Sequence, residues 1–162
     1  MRAILSSTPN DRFSAAKCID GETKGPDGGY GTDMCHTIGE RAPWIAVDYG
    51  KTVAVHRVEI FNRVACCGAR TRNVDIRISD EHPTSGSQMF SGGTLLGHFA
   101  GPASNGQHII ISGEREISGR YVIVQMDNGE NTPLNLKEVT AFGRSSKGSV
   151  TKLNIDTNFE IT

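Results

Sequence analysis

The sequence predicts an all-β protein that folds as a single sandwich or jelly roll. No window of useful length carries the apolar repeat of about 3.6 residues that marks an amphipathic helix. Short runs rich in β-branched and aromatic residues recur along the chain, and clusters of Gly, Pro, Asn and Ser separate them. Some seven or eight short strands with irregular connections are typical of a β-sandwich or jelly roll.

The predicted strands begin after residue 44. Residues 45–49 and 53–62 are two predicted strands joined by a turn at residues 50–52. Residues 73–79 alternate strictly between apolar and polar side chains, as a strand with one solvated face does. The remaining predicted strands cover residues 95–99, 107–112, 121–126 and 134–142.

The two ends of the chain differ from this pattern. Residues 6–44 contain few apolar runs and many turn residues, so we expect long loops over one end of the sandwich, and loops of that length are usually functional. We expect one domain over residues 1–143. Residues 144–162 begin with a linker-like Arg-Ser-Ser-Lys-Gly-Ser segment and either add an edge strand or lead to another domain.

Composition excludes several classes of protein. The chain has 162 residues, with 17 basic and 18 acidic residues and a formal net charge of -1, so no global field favours nucleic acid or an anionic membrane. No apolar run approaches the roughly 20 residues that a membrane span needs, so we expect no direct membrane insertion. The first six residues form too short an apolar stretch for a secretion signal, and we expect a mature or excised domain.

The most informative feature is the adjacent pair Cys66-Cys67, with Arg63 before it and Arg70 after it. A disulfide between neighbours would close a strained small ring that adds almost nothing to folding, because it removes almost no loop entropy. It would instead offer a rigid apolar plate between two guanidinium groups, which suits the C–H face and the hydroxyls of a sugar. The alternative is that the two cysteines are bonded elsewhere or are free.

The other two cysteines leave the pairing open. Four cysteines allow three pairings, and pairing Cys18 with Cys35 across a Gly/Asp-rich loop leaves Cys66 with Cys67. Zinc is the main rival, although adjacent cysteines lack the usual ligand spacing. Disulfides favour an extracellular, secreted or cell-surface location.

Several segments together resemble the F-type lectins, or fucolectins, which are fucose-binding relatives of the discoidin-type jelly roll. The resemblance covers residues 3–143, and its site motif is a His, twenty-six residues, an Arg, two residues, an adjacent Cys pair and a second Arg three residues on. His36, Arg63, Cys66, Cys67 and Arg70 satisfy that spacing. The segments that carry the rest of the resemblance are Cys35-His36-Thr37, Pro43-Trp44-Ile45-Ala46-Val47-Asp48, Gly119-Arg120-Tyr121-Val122 and Leu136-Lys137-Glu138-Val139.

The resemblance implies a role for each of these residues. His36, Arg63 and Arg70 would hydrogen-bond the 4-hydroxyl, the 3-hydroxyl and the ring oxygen of α-L-fucose, and the Cys66–Cys67 ring would lie against the C1–C2 edge of the sugar. An arginine suits adjacent hydroxyls because its donors are held at fixed angles. Tyr30, and more weakly Phe13, would contact the 6-methyl group.

The resemblance also implies a structural Ca²⁺ beneath the loops. Its ligands would be the side chains of Asp20, Glu22, Asp33 and Glu138 together with the backbone carbonyl of Lys17. Oxygen ligands from an Asp/Gly-rich loop suit this cation. The alternative is that these carboxylates cap turns and face water.

One residue departs from the family pattern. The family usually has an acid at the position of Ala65, two residues after Arg63. A carboxylate there would orient the donors of the site through charge-assisted hydrogen bonds. Its absence would loosen the arginines or change which fucosylated glycan is preferred.

The sequence therefore predicts a non-catalytic lectin that recognises terminal α-L-fucose on glycans. Its partners would be fucosylated glycans, bound by a homo-oligomer or by a domain tethered to others, because weak single sites need avidity. One alternative is a discoidin-like module that binds protein or phospholipid surfaces, and another is an accessory domain of a larger glycan-acting protein. A third, a cysteine hydrolase using Cys66 or Cys67 with His36, would require a reduced thiol.

Overall fold

A computed structural model describes residues 1–25, 33–144 and 149–154 of the protein. The fold is an antiparallel β-sandwich of the discoidin-like kind, which confirms the predicted all-β class. Within the described ranges no helix is long and apolar enough to cross a membrane. The strands are β1 (Arg2–Leu5), β2 (Cys35–His36), β3 (Trp44–Asn62), β4 (Val74–Ser79), β5 (Thr94–Phe99), β6 (His108–Met126), β7 (Asn135–Arg144) and β8 (Val150–Lys152).

Two long strands, β3 and β6, form the centre of the sandwich. They pair with each other over three stretches, which are separated by register shifts between Asp48 and Val53 and between Val55 and Arg57. The first half of β3 also pairs with β1, and its second half pairs with β7. The strand order β2-β7-β3-β6-β4-β5 then places β2 at one edge.

The predicted breaks inside these two strands are wrong. Residues 50–52 were expected to form a turn, but β3 continues through them as an irregularity in which Gly50 has a φ of +72°. A glycine adopts this conformation without steric cost, so the strand can bend here and still continue. In the same way, residues 107–112 and 121–126 belong to one strand, β6.

The core lies between the two layers formed by these strands. Its apolar side chains come from alternate positions of the strands. Five of them are at most 1% exposed: Val47, Ile60, Ile76, Val124 and Leu136. Burial on this scale provides most of the stability of a domain of this size.

The loops expected over residues 6–44 contain short ordered elements. Two 3₁₀ helices, Asp11–Phe13 and Ala15–Cys18, precede β2 in this segment. A disulfide joins Cys18 to Cys35 with a Cα–Cα distance of 5.4 Å, which fixes the second of these helices to β2. Near the other end of the chain, β8 pairs with β7, and the boundary at residue 143 stays a prediction.

Candidate functional site

His36 is positioned by the edge strand β2. Its backbone pairs with Asn135 of β7, and the neighbouring Cys35 is fully buried and bonded to Cys18. These two attachments fix the backbone on both sides of the histidine, while its ring stays partly exposed. The ring of Phe13 lies beside it, with the two ring centroids 5.1 Å apart.

The loop that carries both arginines, residues 63–71, is held by the buried side chain of Asn62. Asn62 Nδ2 donates to the carbonyl of Gly68 at 3.1 Å and to the carbonyl of Ser104 at 2.9 Å. Its Oδ1 accepts from Thr71 Oγ1 at 2.8 Å. Asn62 is 0% exposed, so one side chain at the end of β3 closes this loop from the inside.

Cys66 and Cys67 are bonded to each other, as the sequence indicated, with their Cα atoms 3.8 Å apart. All four cysteines lie within the described residues and none of them is free. Cys67 has a φ of +63°, in the left-handed region, and Gly68 begins a 3₁₀ helix that ends at Arg70. Gly68 also packs tightly, because an added Cβ would lie 2.6 Å from the backbone nitrogen of Asn105. The cysteine pair is therefore set in a rigid turn.

The structure brings His36 and the two arginines into one electrostatic group. Burial lowers the pKa of His36 below its ordinary value of 6.5, and the positive charges of Arg63 and Arg70 lower it further. The ring is therefore neutral at neutral pH. His36 Nδ1 lies 2.5 Å from the carbonyl oxygen of Thr37, which can only accept, so Nδ1 carries the proton.

The hydrogen-bonding character of the site follows from that tautomer. His36 Nε2 is left as an acceptor, whereas Arg63 and Arg70 provide only donors. A hydroxyl group that donates to the imidazole and accepts from a guanidinium satisfies both kinds of group at once. A hydroxyl does this with a single uncharged oxygen.

An open cavity of about 410 Å³ continues from this group of residues. It shares Cys67 and Arg70 with the site described above and extends towards Arg72, which donates to Glu130 at 2.6 Å. The cavity is lined by Cys67, Ala69, Arg70, Arg72, Glu130, Asn131, Thr132 and Pro133.

Comparison with known proteins places this domain in a family. The family model of the NedA-like, galactose-binding domain, an F5/F8 type C domain, matches residues 17–124. The chain belongs to this family. The fold of this NedA-like domain is the F-type lectin-like discoidin fold.

Two solved structures resemble the domain over most of its length. One is a fucolectin from the serum of striped bass, Morone saxatilis, with a TM-score of 0.76 and 27% identity, covering 88% of this chain and 46% of that chain. The other is the lectin domain of lectinolysin in complex with Lewis B antigen, with a TM-score of 0.69 and 27% identity, covering 89% of this chain and 93% of that chain.

A pentraxin fusion protein from Xenopus laevis is 30% identical to this chain over 92 residues, which are 57% of this chain and 21% of that protein. The NedA-like domain therefore spans about a fifth of the pentraxin fusion protein and under half of the striped bass lectin.

The residues expected to bind Ca²⁺ are only partly brought together. Glu138 is 2% exposed, and its pKa is raised by burial and also by the nearby charge of Asp20. Glu22 and Asp33 are exposed, and Glu22 accepts a hydrogen bond from the backbone of Lys24. Among the described residues no group of three or more His, Cys, Asp or Glu side chains is placed to hold a metal.

Two aromatic residues were expected to contact the methyl group of the sugar. One of them, Tyr30, lies outside the described residues. Phe13, the weaker candidate, is the aromatic residue that lies against His36. Ala65, at the position of the family's acid, is exposed.

Sequence reasoning missed two buried residues that support the site. Asn62 directly precedes Arg63 in the sequence, but no role was predicted for it. Lys137 is 0% exposed and its Nζ donates to the carbonyl of Asp33 at 2.9 Å, which fixes the segment leading into β2. A lysine between Leu136 and Glu138 is typical of a solvated strand face, so its sequence context carries no signal of this role.

Proposed function

We propose that this domain binds terminal α-L-fucose on glycans through His36, Arg63, Arg70 and the Cys66–Cys67 disulfide, and that it catalyses no reaction. The observation that carries the proposal is that the neutral imidazole of His36, with a free acceptor nitrogen, lies close enough to Arg63 and Arg70 for their charges to lower its pKa. The vicinal disulfide lies on the same short loop as both arginines. The likeness to a fucolectin and to a lectin domain bound to Lewis B antigen supports a carbohydrate ligand.

The chemistry of the sugar fits this set of groups. A pyranose presents adjacent hydroxyls that donate and accept, together with an apolar C–H face. The hydroxyls suit His36 Nε2 and the two arginines, and the disulfide offers a flat apolar contact. Phe13, beside His36, provides an apolar surface for the 6-methyl group that distinguishes fucose from galactose.

An enzymatic role has less support. A cysteine nucleophile requires a thiolate, and both Cys66 and Cys67 are bonded to each other. The site therefore offers hydrogen-bond donors, one neutral acceptor and an apolar plate, which are sufficient for binding.

Calorimetric titration with L-fucose, D-galactose and D-mannose tests the proposal. We expect L-fucose to bind with a dissociation constant in the range of about micromolar to millimolar, as small neutral ligands on open sites do. Galactose is the decisive comparison, because the family description names it. Tighter binding of galactose or mannose than of fucose would contradict the proposed specificity.

The variant Arg70→Ala tests the site itself. Hydrogen bonds to charged groups contribute about 1.5–3 kcal/mol, so the affinity for fucose should fall by roughly 10- to 150-fold. The melting temperature should stay nearly unchanged, because the side chain serves the ligand rather than the core. Arg115→Ala removes a guanidinium from an exposed position of β6 and should leave both quantities unchanged. A large fall in melting temperature with full fucose affinity would contradict the assignment.

We also propose that a structural Ca²⁺ is held by Asp20 and Glu138, with Glu22, Asp33 and the carbonyl of Lys17 as further ligands. Two neighbouring carboxylates, one of them almost fully buried, are the kind of group whose charge a hard divalent cation compensates. The cation would tie the segment before β2 to β7.

Melting in calcium and in EDTA tests this proposal. A ligand present at 100 times its dissociation constant stabilises the folded state by about 2.7 kcal/mol, so we expect EDTA to lower the melting temperature by roughly 5–10 °C. Glu138→Gln should remove most of this difference. Equal melting temperatures of the calcium-loaded and the demonstrably metal-free protein would contradict the calcium site.

Weak single sites require avidity to hold a glycan-bearing surface. We therefore propose that the domain acts in an extracellular oligomer or beside other domains, where linked sites raise the effective affinity by about 10²–10⁴. The disulfide between Cys18 and Cys35 is consistent with an oxidising compartment.

A further inference from the structure

The cavity beside the vicinal disulfide is continuous with the proposed fucose site. Cys67 and Arg70 belong to both, and from there the cavity extends past Arg72 to the segment 130–133. Its volume of about 410 Å³ lies within the range of roughly 300–1,000 Å³ that is usual for ligand pockets. A glycan whose terminal sugar lies on the disulfide has this concave surface available for its next residue.

The wall of the cavity that residues 130–133 form is held in place by hydrogen bonds on both sides. Asn128 Nδ2 donates to the carbonyl of Arg70 at 3.1 Å, which joins the start of the wall to the arginine loop. At the other end, the backbone nitrogen of Thr132 donates to the carbonyl of Glu40 at 2.9 Å. The positive φ of Gly129, +72°, makes the turn between these two attachments. The cavity is therefore formed before a ligand arrives, which lowers the entropic cost of binding.

One part of the polar lining of the cavity is an ion pair that remains accessible. Arg72 and Glu130 side chains are 39% and 64% exposed, and their contact uses one nitrogen and one oxygen. The pair therefore offers further guanidinium donors next to further carboxylate lone pairs. Adjacent sugar hydroxyls, each of which donates and accepts, match this combination.

The charges in the cavity also limit the class of ligand. Two guanidinium groups, of Arg70 and Arg72, and one carboxylate, of Glu130, give the lining a net positive charge, which disfavours a cationic sugar. Pro133 and Ala69 provide apolar surface for the C–H face of a pyranose. A neutral hexose or N-acetylhexosamine satisfies all of these conditions.

We propose that this cavity is a second subsite, which binds the neutral sugar directly linked to the terminal fucose, with Arg72 and Glu130 as its specificity-determining residues. The proposal rests on the proposed fucose-binding function. It makes the ligand of this domain a fucosylated oligosaccharide rather than a free monosaccharide.

The test compares methyl α-L-fucoside with two disaccharides, α-L-fucosyl-(1→2)-galactose and α-L-fucosyl-(1→3)-N-acetylglucosamine, by calorimetry. We expect at least one disaccharide to bind the unmodified protein at least fivefold more tightly than the methyl fucoside. In Arg72→Ala and in Glu130→Ala that advantage should fall below twofold. The control Arg115→Ala removes an exposed guanidinium of β6 that does not line the cavity, and it should preserve the full advantage.

The possible failures are distinguishable. Equal affinities for the methyl fucoside and both disaccharides would overturn the subsite and leave fucose binding intact. The same conclusion follows if the advantage persists in both Arg72→Ala and Glu130→Ala. Failure of the unmodified protein to bind methyl α-L-fucoside would instead contradict the proposed function on which the subsite rests.

Discussion

At the scale of single residues, the chemistry of the site depends on the neutral state of His36. Its Nδ1 proton is committed to the carbonyl of Thr37, and its partial burial and the two nearby arginines disfavour a second proton. A protonated ring would add a third positive charge and remove the only acceptor of the proposed fucose-binding set. Binding should therefore require the unprotonated imidazole.

This dependence predicts how fucose affinity changes with pH. Because the pKa of His36 is lowered from 6.5, affinity should be constant above that pH and should decline as the pH falls below it. Calorimetric titration with methyl α-L-fucoside between about pH 8 and pH 4.5 measures the effect. His36→Gln should bind weakly without this pH dependence, whereas His98→Gln, on the exposed face of β5, should retain it. An affinity that rises on acidification would contradict the role of the neutral ring.

The spacing of His36, Arg63, the cysteine pair and Arg70 pointed to residues that lie near one another in the structure, and their role in sugar binding stays a prediction. The residues that support them were not predicted. Asn62 and Lys137 were missed because buried polar side chains cannot be distinguished from solvated ones without knowing which strand face is covered. Trp44 shows the opposite case, since its place at the start of an apolar run is typical of a core residue, and it is 3% exposed.

At the scale of elements, the two disulfides have different physical effects. Cys18–Cys35 joins residues 17 positions apart and holds β2 against the preceding 3₁₀ helix. Cys66–Cys67 joins neighbours and closes no loop of the chain. In the chain-entropy model only the first restricts the unfolded state appreciably.

Replacing each pair by serines separates stability from binding. Loss of Cys18–Cys35 should cost about 3 kcal/mol, which lowers the melting temperature by roughly 6–12 °C. The double variant Cys66→Ser/Cys67→Ser should melt close to the unmodified protein but bind fucose at least tenfold more weakly. Thermal denaturation and calorimetry measure the two effects. Full fucose affinity in the second variant would show that the sulfur plate is not a contact surface.

The strand boundaries were the least predictable elements. A Gly-Lys-Thr segment reads as a turn, yet in β3 it forms an irregularity within one continuous strand. A turn and a bulge use the same residue types, because both require the conformational freedom of glycine. Pairing with a long partner strand, here β6, decides between them, and that partner is distant in sequence.

At the scale of the whole molecule, one buried carboxylate links three strands of the sandwich. It lies outside the proposed fucose site. Asp48 of β3 accepts from Arg120 of β6 at 2.7 Å and 2.9 Å and from Arg2 of β1 at 3.1 Å. Hydrogen bonding to Arg120, with smaller contributions from Gly50 and Arg2, holds the pKa of Asp48 well below its ordinary value of 3.8. This group therefore stabilises the fold when ionised.

The variant Asp48→Asn should lose that stabilisation in a pH-dependent way. Because the folded-state pKa is depressed, the contribution is complete above the ordinary pKa of 3.8 and is lost as the pH falls through the lower folded value. The melting temperature of the variant should lie several degrees below that of the unmodified protein at pH 7. The difference should shrink below about pH 4. A difference that stays constant down to pH 2 would contradict this assignment, and fucose affinity at pH 7 serves as the control for an intact site.

A crystal structure of the protein soaked with methyl α-L-fucoside tests the central claim most directly. We predict one fucoside per domain, with its hydroxyls bonded to His36 Nε2 and to the guanidinium groups of Arg63 and Arg70, and with a C–H edge on the bonded sulfurs of Cys66 and Cys67. A sugar bound elsewhere, or an empty site at a saturating concentration, would contradict the account.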